Sequence, residues 1–194
     1  QPAQEQPSSS SSSSPSPAPS VSPGSIGAPS GDAAALAQAY ANQYADGRYR
    51  DRVARYNAQA AAVQRPGIGS EIASLGMNYV GRLHYVVAGE SLSSGADCAG
   101  FVCALYRCFG VDLERNLELF NMLGVPVTPD PSCMQPGDIV LYYAGGGIGH
   151  VALYVGNGII VNESGCYGNG CVNDCCTRAF NYRSIASVRR VFCY

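Results

Sequence analysis

The chain has no lysine, no tryptophan and only two histidines, and charged residues make up 13% of it. All 12 of its cations are arginines, none of them in a basic run, and the formal net charge is −2. That balance excludes nucleic acid or an anionic membrane as the main partner. No apolar run approaches the roughly 18 residues that a membrane-spanning helix needs. No internal repeat is evident. Zinc is not the better reading of the cysteines either. Cys166, Cys171 and Cys175 are irregularly spaced with no histidine nearby, so neither a metal nor a cofactor is expected. With two histidines, any chemistry that needs an imidazole must use His84 or His150.

What the chain does have is unevenly spread. Residues 1–30 are runs of Ser, Pro and Ala with almost no charge. Such a segment cannot bury enough apolar surface to offset its conformational entropy, and it reads as a flexible tether. The chain opens on Gln1 with neither a methionine nor a signal peptide, which fits a processed or trimmed protein. Residues 31–66 read as helical. Tyr49, Val53, Tyr56, Ala60 and Val63 recur at three- and four-residue steps, and Asp46-Gly47 breaks an αα-hairpin or coiled-coil end. Packing is the expected role there, with a protein partner on the 31–65 helices as the alternative.

A compact domain is expected over 67–194. A helix over 69–81 should turn Ile72, Leu75 and Met77 inward. A second from Cys98 to Phe109 has an apolar face of Phe101, Val102, Leu105 and Phe109, which Cys108 continues. A short helix follows at "LERNLELFNMLG". Then the period changes to strands at "IVLYYAG", "GHVALYVGNG", "IIVNESG" and "IASVRRVFCY", with Gly156-Asn157-Gly158 as a hairpin turn. Helices first and antiparallel strands after give an α+β fold.

Nine cysteines suit an oxidising, extracellular location with disulfides. Three of them, Cys98, Cys103 and Cys108, lie in "DCAGFVCALYRC". A cysteine nucleophile must reach its thiolate, and the first turn of a helix favours that form through its unpaired N–H groups and dipole. Only Cys98 is placed there. Cys103 and Cys108 are about 140° apart around a helix and cannot bridge each other. His150 opens a strand after a glycine-rich turn and faces away from Val151, Leu153 and Val155. Asn162 lies across the Gly156-Asn157-Gly158 turn, where it can stand beside His150 and fix its tautomer. A helix-starting cysteine, a strand histidine and a next-strand asparagine are together far more specific than any one of them.

Those residues carry a resemblance. "DCAGFV", "QPGDIVLYY" and "GHVALYVGNGIIVNES" resemble the motifs of the NlpC/P60 cell-wall peptidases, over about residues 68–194. The resemblance implies a papain-like α+β core with Cys98 as nucleophile, His150 as base and Asn162 in the third position. It implies cleavage of peptidoglycan stem peptides at the γ-D-glutamyl to diamino-acid bond, in a secreted or cell-wall-associated bacterial protein. Tyr85, Asp97, Ala99 and Gly149 fall where the family lines its cleft, Asp97 where an aspartate helps hold the substrate's amino group. Ala99 replaces a serine that follows the nucleophile, and Ala152 replaces a glycine. A changed selectivity is the expected consequence.

The tail from Cys166 to Tyr194 carries Cys166, Cys171, Cys175, Cys176 and Cys193, read as a disulfide-stapled loop that frames one wall of the cleft. His84 is expected to be a loop residue rather than a second base. Two rivals stand beside the peptidase: a cysteine amidase or acyltransferase with the same three residues and another acyl donor, and a non-catalytic wall-binding module.

Overall fold

A computed structural model of the protein describes residues 47–165 and 174–193. The expected tether, the helical stretch before residue 47, Cys166 and Cys171 lie outside the described residues. Four helices come first or early: α1 (Arg50–Val63), α2 (Ile68–Met77), α3 (Cys98–Cys108) and the single turn α4 (Leu117–Phe120). Between α2 and α3, β1 (Glu90–Ser91) and β2 (Gly95–Ala96) make a small antiparallel hairpin. The remaining strands are β3 (Val125–Val127), β4 (Ile139–Ala144), β5 (Gly147–Gly156), β6 (Ile159–Ser164), β7 (Asp174–Ala179) and β8 (Ile185–Arg190). They form one six-stranded antiparallel sheet in the order β3-β8-β4-β5-β6-β7. The expected α+β order is therefore the observed one.

The sheet's alternation sorts the side chains. Val151, Leu153 and Val161 turn toward α2 and α3, where they join Ile72, Phe101, Val102 and Leu105 in the main core. Ala152, Tyr154 and Ile160 turn to the other face, against Val140, Tyr142 and Val188. Phe180 and Tyr182, from the link between β7 and β8, pack over that second face. The β5–β6 turn has positive φ at both Asn157 and Gly158, as a mirror-image type I′ turn requires.

The helix α1 is not a separate segment. Val53, Tyr56 and Ala60 are buried in the main core, Arg52 grips the Glu114 carboxylate at 2.8 and 2.9 Å, and Asn57 accepts from the Gly124 N–H. Over residues 50–63, the apolar face considered for a partner is occupied by the chain's own domain. Gly137 and Asp138 of the "PGD" stretch hold the start of β4. The Asp138 carboxylate is 1% exposed and receives two hydrogen bonds from Arg190 and one from the Gln135 N–H.

Four details differ from the sequence reading. Met77 is 40% exposed, because α2 buries Ile68, Ile72 and Ala73 instead. Cys108 is exposed, since the last turn of α3 runs out into solvent at Arg107 and Cys108. "DCCTRA" forms the edge strand β7, paired residue by residue with β6, rather than loop. Finally, the seven cysteines among the described residues are all free thiols, so Cys175, Cys176 and Cys193 make no bridge with one another. Cys175 is buried at 1% exposure in the main core, and the strand's alternation turns its neighbour Cys176 the other way, toward Asn162.

Candidate active site

Cys98 is the first residue of α3 and Asp97 is its N-cap. Asp97 has extended backbone angles, and its Oδ1 accepts the Gly100 N–H at 2.8 Å, which satisfies one orphan donor of the first turn. The other oxygen, Oδ2, accepts the Ala88 N–H at 3.1 Å and an Arg115 N–H at 2.8 Å. At 6% exposure, with both oxygens taken, Asp97 fastens the 88–97 loop to the helix. Its partners are thus intramolecular, where the resemblance pointed to a substrate amine. Ala99 is 5% exposed and belongs to the core. Gly100 passes so close to the Gly89 carbonyl that a Cβ would lie 1.9 Å from its oxygen, so only glycine fits behind the nucleophile.

Backbone N–H groups of Val151, Ala99 and Cys98 itself lie near the Cys98 sulfur and favour its thiolate. Burial nevertheless dominates and pushes the thiol above its ordinary range, with the Asp97 charge adding to it. Resting Cys98 is therefore a thiol that needs a base. The Val151 contact sets the sulfur against β5 at the residue that follows His150.

His150 is 6% exposed. Its Nε2 lies 2.9 Å from Asn162 Oδ1. The Asn162 amide nitrogen donates to the Cys176 carbonyl at 2.9 Å, which turns its oxygen toward the imidazole. Nε2 must then be the protonated nitrogen, and Nδ1 keeps a lone pair for an incoming proton. Burial lowers the His150 pKa to about 4, against the raising effect of Asn162 and helped by the charges of Arg183 and Arg178. The imidazole is neutral at rest, as a base must be.

Tyr85 bridges to Ala96 and its ring lies over Gly165, where a Cβ would come within 2.5 Å of it. Gly149 is exposed just before the histidine, closed on one side by Ala144. His84, by contrast, is on the rim with its side chain 82% exposed, bonded through Nδ1 to Asp174 at 2.8 Å.

Two features escaped the sequence reading. Glu163, next to Asn162, is fully buried, and among the described residues neither carboxylate oxygen has a hydrogen-bond partner. Burial, with the Asp174 charge behind it, raises its pKa to about 8. The second is Tyr182, whose ring edge meets the His150 ring at 6.4 Å and 87°. The only signal of Tyr182 in sequence is the run "RAFNYR", where two arginines bracket Phe180 and Tyr182 after the cysteines. Among the described residues, no group of three or more His, Cys, Asp or Glu is placed to hold a metal.

A family model described as the NlpC/P60 family matches residues 81–189. A γ-D-glutamyl-L-lysine dipeptidyl-peptidase of Bacillus cereus is 30% identical over 96 residues, which are 48% of this chain and 28% of that protein. The murein DD-endopeptidase MepS/murein LD-carboxypeptidase of Escherichia coli is 38% identical over 77 residues, 39% of this chain and 40% of that one. The chain thus spans less than half the length of either relative. In fold it is similar to the solved structure of the peptidoglycan hydrolase RipB from Mycobacterium tuberculosis, with a TM-score of 0.57 and 24% identity over 90% of this chain and 95% of that one. The matched segment is more than half of the chain and holds Cys98, His150 and Asn162, so the chain belongs to the NlpC/P60 family.

Proposed function

We propose that this protein is a cysteine peptidase that hydrolyses peptidoglycan stem peptides, at the bond between the γ-D-glutamyl residue and the diamino acid. The observation that carries the reading is the His150–Asn162 bond with its amide anchored on the Cys176 carbonyl. That arrangement leaves an unprotonated imidazole nitrogen in a residue adjoining the one that holds the Cys98 sulfur. A wall-binding module would have no use for it.

In this mechanism His150 Nδ1 takes the Cys98 proton and the thiolate attacks the amide carbonyl. The N–H of Cys98, in the first turn of α3, is the natural donor to the oxyanion, worth about 3 kcal/mol. His150 then protonates the leaving amine, and water, activated by the same imidazole, releases the acyl group. Asn162 holds the ring throughout. Tyr85 and Gly149 line the cleft, and Asp97 acts by shaping the turn that presents the sulfur. The names of the relatives support the substrate class, and a wall substrate places the protein in the secreted or wall-associated compartment.

The test is digestion of purified peptidoglycan fragments, read by mass spectrometry beside Cys98→Ala. Wild-type protein should release products cut between D-Glu and the diamino acid, and the variant should lose at least about 10⁴-fold in rate. A folded wild type that leaves the fragments whole would sink the proposal.

A further inference from the structure

Beside His150 the second face of the sheet carries a cluster that the proposed mechanism does not use. Arg178 lies on β7 two residues beyond Cys176, on the same side as Asn162. Tyr182 and Arg183 follow in the link to β8. The guanidinium carbons of Arg178 and Arg183 sit 5.3 and 5.2 Å from the centre of the Tyr182 ring. That ring is wedged against Tyr142 at 5.2 Å and against the edge of His150.

Arg52, Arg107, Arg115 and Arg190 are each answered by a carboxylate of the chain. Neither Arg178 nor Arg183 has an ion pair among the described residues. Among the described residues Arg178 Nε and the Tyr182 hydroxyl are buried without a hydrogen-bond partner, while Arg183 is exposed and Arg178 as a whole half-buried. Unmade donors cost about 1–3 kcal/mol each, and two cations without a carboxylate of their own favour an acceptor from outside the chain. The two guanidiniums offer only donors and the phenol can add one more, and the acceptor that fits them is a carboxylate.

The side of the cleft follows from the chemistry. His150 must deliver a proton to the leaving amine, so the amine half of the substrate passes over its ring, while Tyr85 and the start of α3 bound the acyl half. We propose that Arg178, Tyr182 and Arg183 form a subsite for a free carboxylate on the amine side of the scissile bond. The protein would then select stem peptides whose diamino residue carries a free side-chain carboxylate over those where it is a carboxamide. This rests on the peptidase reading for the substrate, and the subsite itself can be tested without turnover. A carboxylate there also neutralises the two cations that bear on His150, which eases proton uptake by the imidazole when the matching peptide is bound.

The experiment uses the full chain as Cys98→Ala and two synthetic stem tetrapeptides that differ only in carboxylate or carboxamide on the diamino side chain. Calorimetry should show the carboxylate form binding about 10–100-fold tighter, the range of one charge-assisted hydrogen bond. Adding Arg178→Gln and Arg183→Gln should bring that ratio close to one and leave carboxamide binding as it was. Arg183→Gln alone, at an exposed position, should lower the ratio without disturbing the fold. An unchanged ratio in the double variant, or equal binding of both peptides to Cys98→Ala, overturns the subsite. Wild-type digestion of the same peptides separates the two claims. Discrimination in binding without cleavage keeps the subsite and overturns the peptidase; cleavage without discrimination does the reverse; neither overturns both.

Discussion

Two buried acids flank the proposed machinery, Asp97 directly before the nucleophile and Glu163 directly after the asparagine. Asp97 has both oxygens bonded: a helix N–H, a loop N–H and an arginine converge on it. Glu163 has nothing, although it is the more deeply buried, at 0% against 6% exposure. Burial alone therefore says little about a carboxylate; the donors around it decide whether it stabilises the fold or strains it. The contrast has a geometric root. Asp97 stands where a helix begins, and helix starts supply donors. Glu163 stands in the ladder near the end of β6, opposite Cys175, where the backbone N–H groups are already spent on pairing and the strand's alternation points the carboxyl into the core.

Glu163→Gln breaks the contrast most sharply. With a folded pKa near 8, above the ordinary 4.5, the folded protein holds a proton that the unfolded chain gives up. Stability is fully present below pH 4.5 and falls as pH rises through 8. The glutamine variant, which cannot ionise, should escape that loss and be more stable than wild type by about 3–5 kcal/mol at pH 8.5, with no gain at pH 4. Urea unfolding across that range checks it; a difference independent of pH would mean that Glu163 finds donors in solution.

Asp97→Ala should act in the opposite direction. Removing the cap costs about 1 kcal/mol. The Ala88 N–H and Arg115 lose their acceptor as well, which brings the expected loss to about 2–3 kcal/mol. Arg115→Met should cost a smaller share, because the Asp97 carboxylate keeps the Ala88 and Gly100 N–H donors when the arginine is gone. If the two substitutions cost the same in urea unfolding, the arginine rather than the helix cap is what Asp97 serves.

The same comparison marks what the sequence could show. The nucleophile's helix, the strands β4 to β6 and their turn were legible, because periodicity and turn chemistry are local. His150 and Asn162 were legible as neighbours because one hairpin brings them together. Asp97 misled, since its partners lie 9 and 18 residues away, and no spacing announces them. The strand β7 was hidden because Asp, Cys and Arg are poor strand formers, and its pairing with β6, not its composition, makes it a strand. Met77 and Cys108 fit an apolar period but sit at helix ends, where period no longer implies burial.

The smallest expected effect concerns the residue between those two acids in the argument, Asn162. Its oxygen holds the His150 Nε2 proton, and its nitrogen is fixed by Cys176. Asn162→Ala leaves Cys98 and His150 in place but frees the ring, so kcat/KM should fall about tenfold, the worth of one orienting hydrogen bond. The pH profile distinguishes orientation from simple damage. The Asn162 bond raises the His150 pKa against burial, so its loss should move the acid limb of kcat/KM from about 4 to lower pH. Damage that lets water onto the ring would instead relax the burial and move the limb upward, toward 6.5. A limb that rises in Asn162→Ala would therefore show that Asn162 keeps the site dry rather than aims its base.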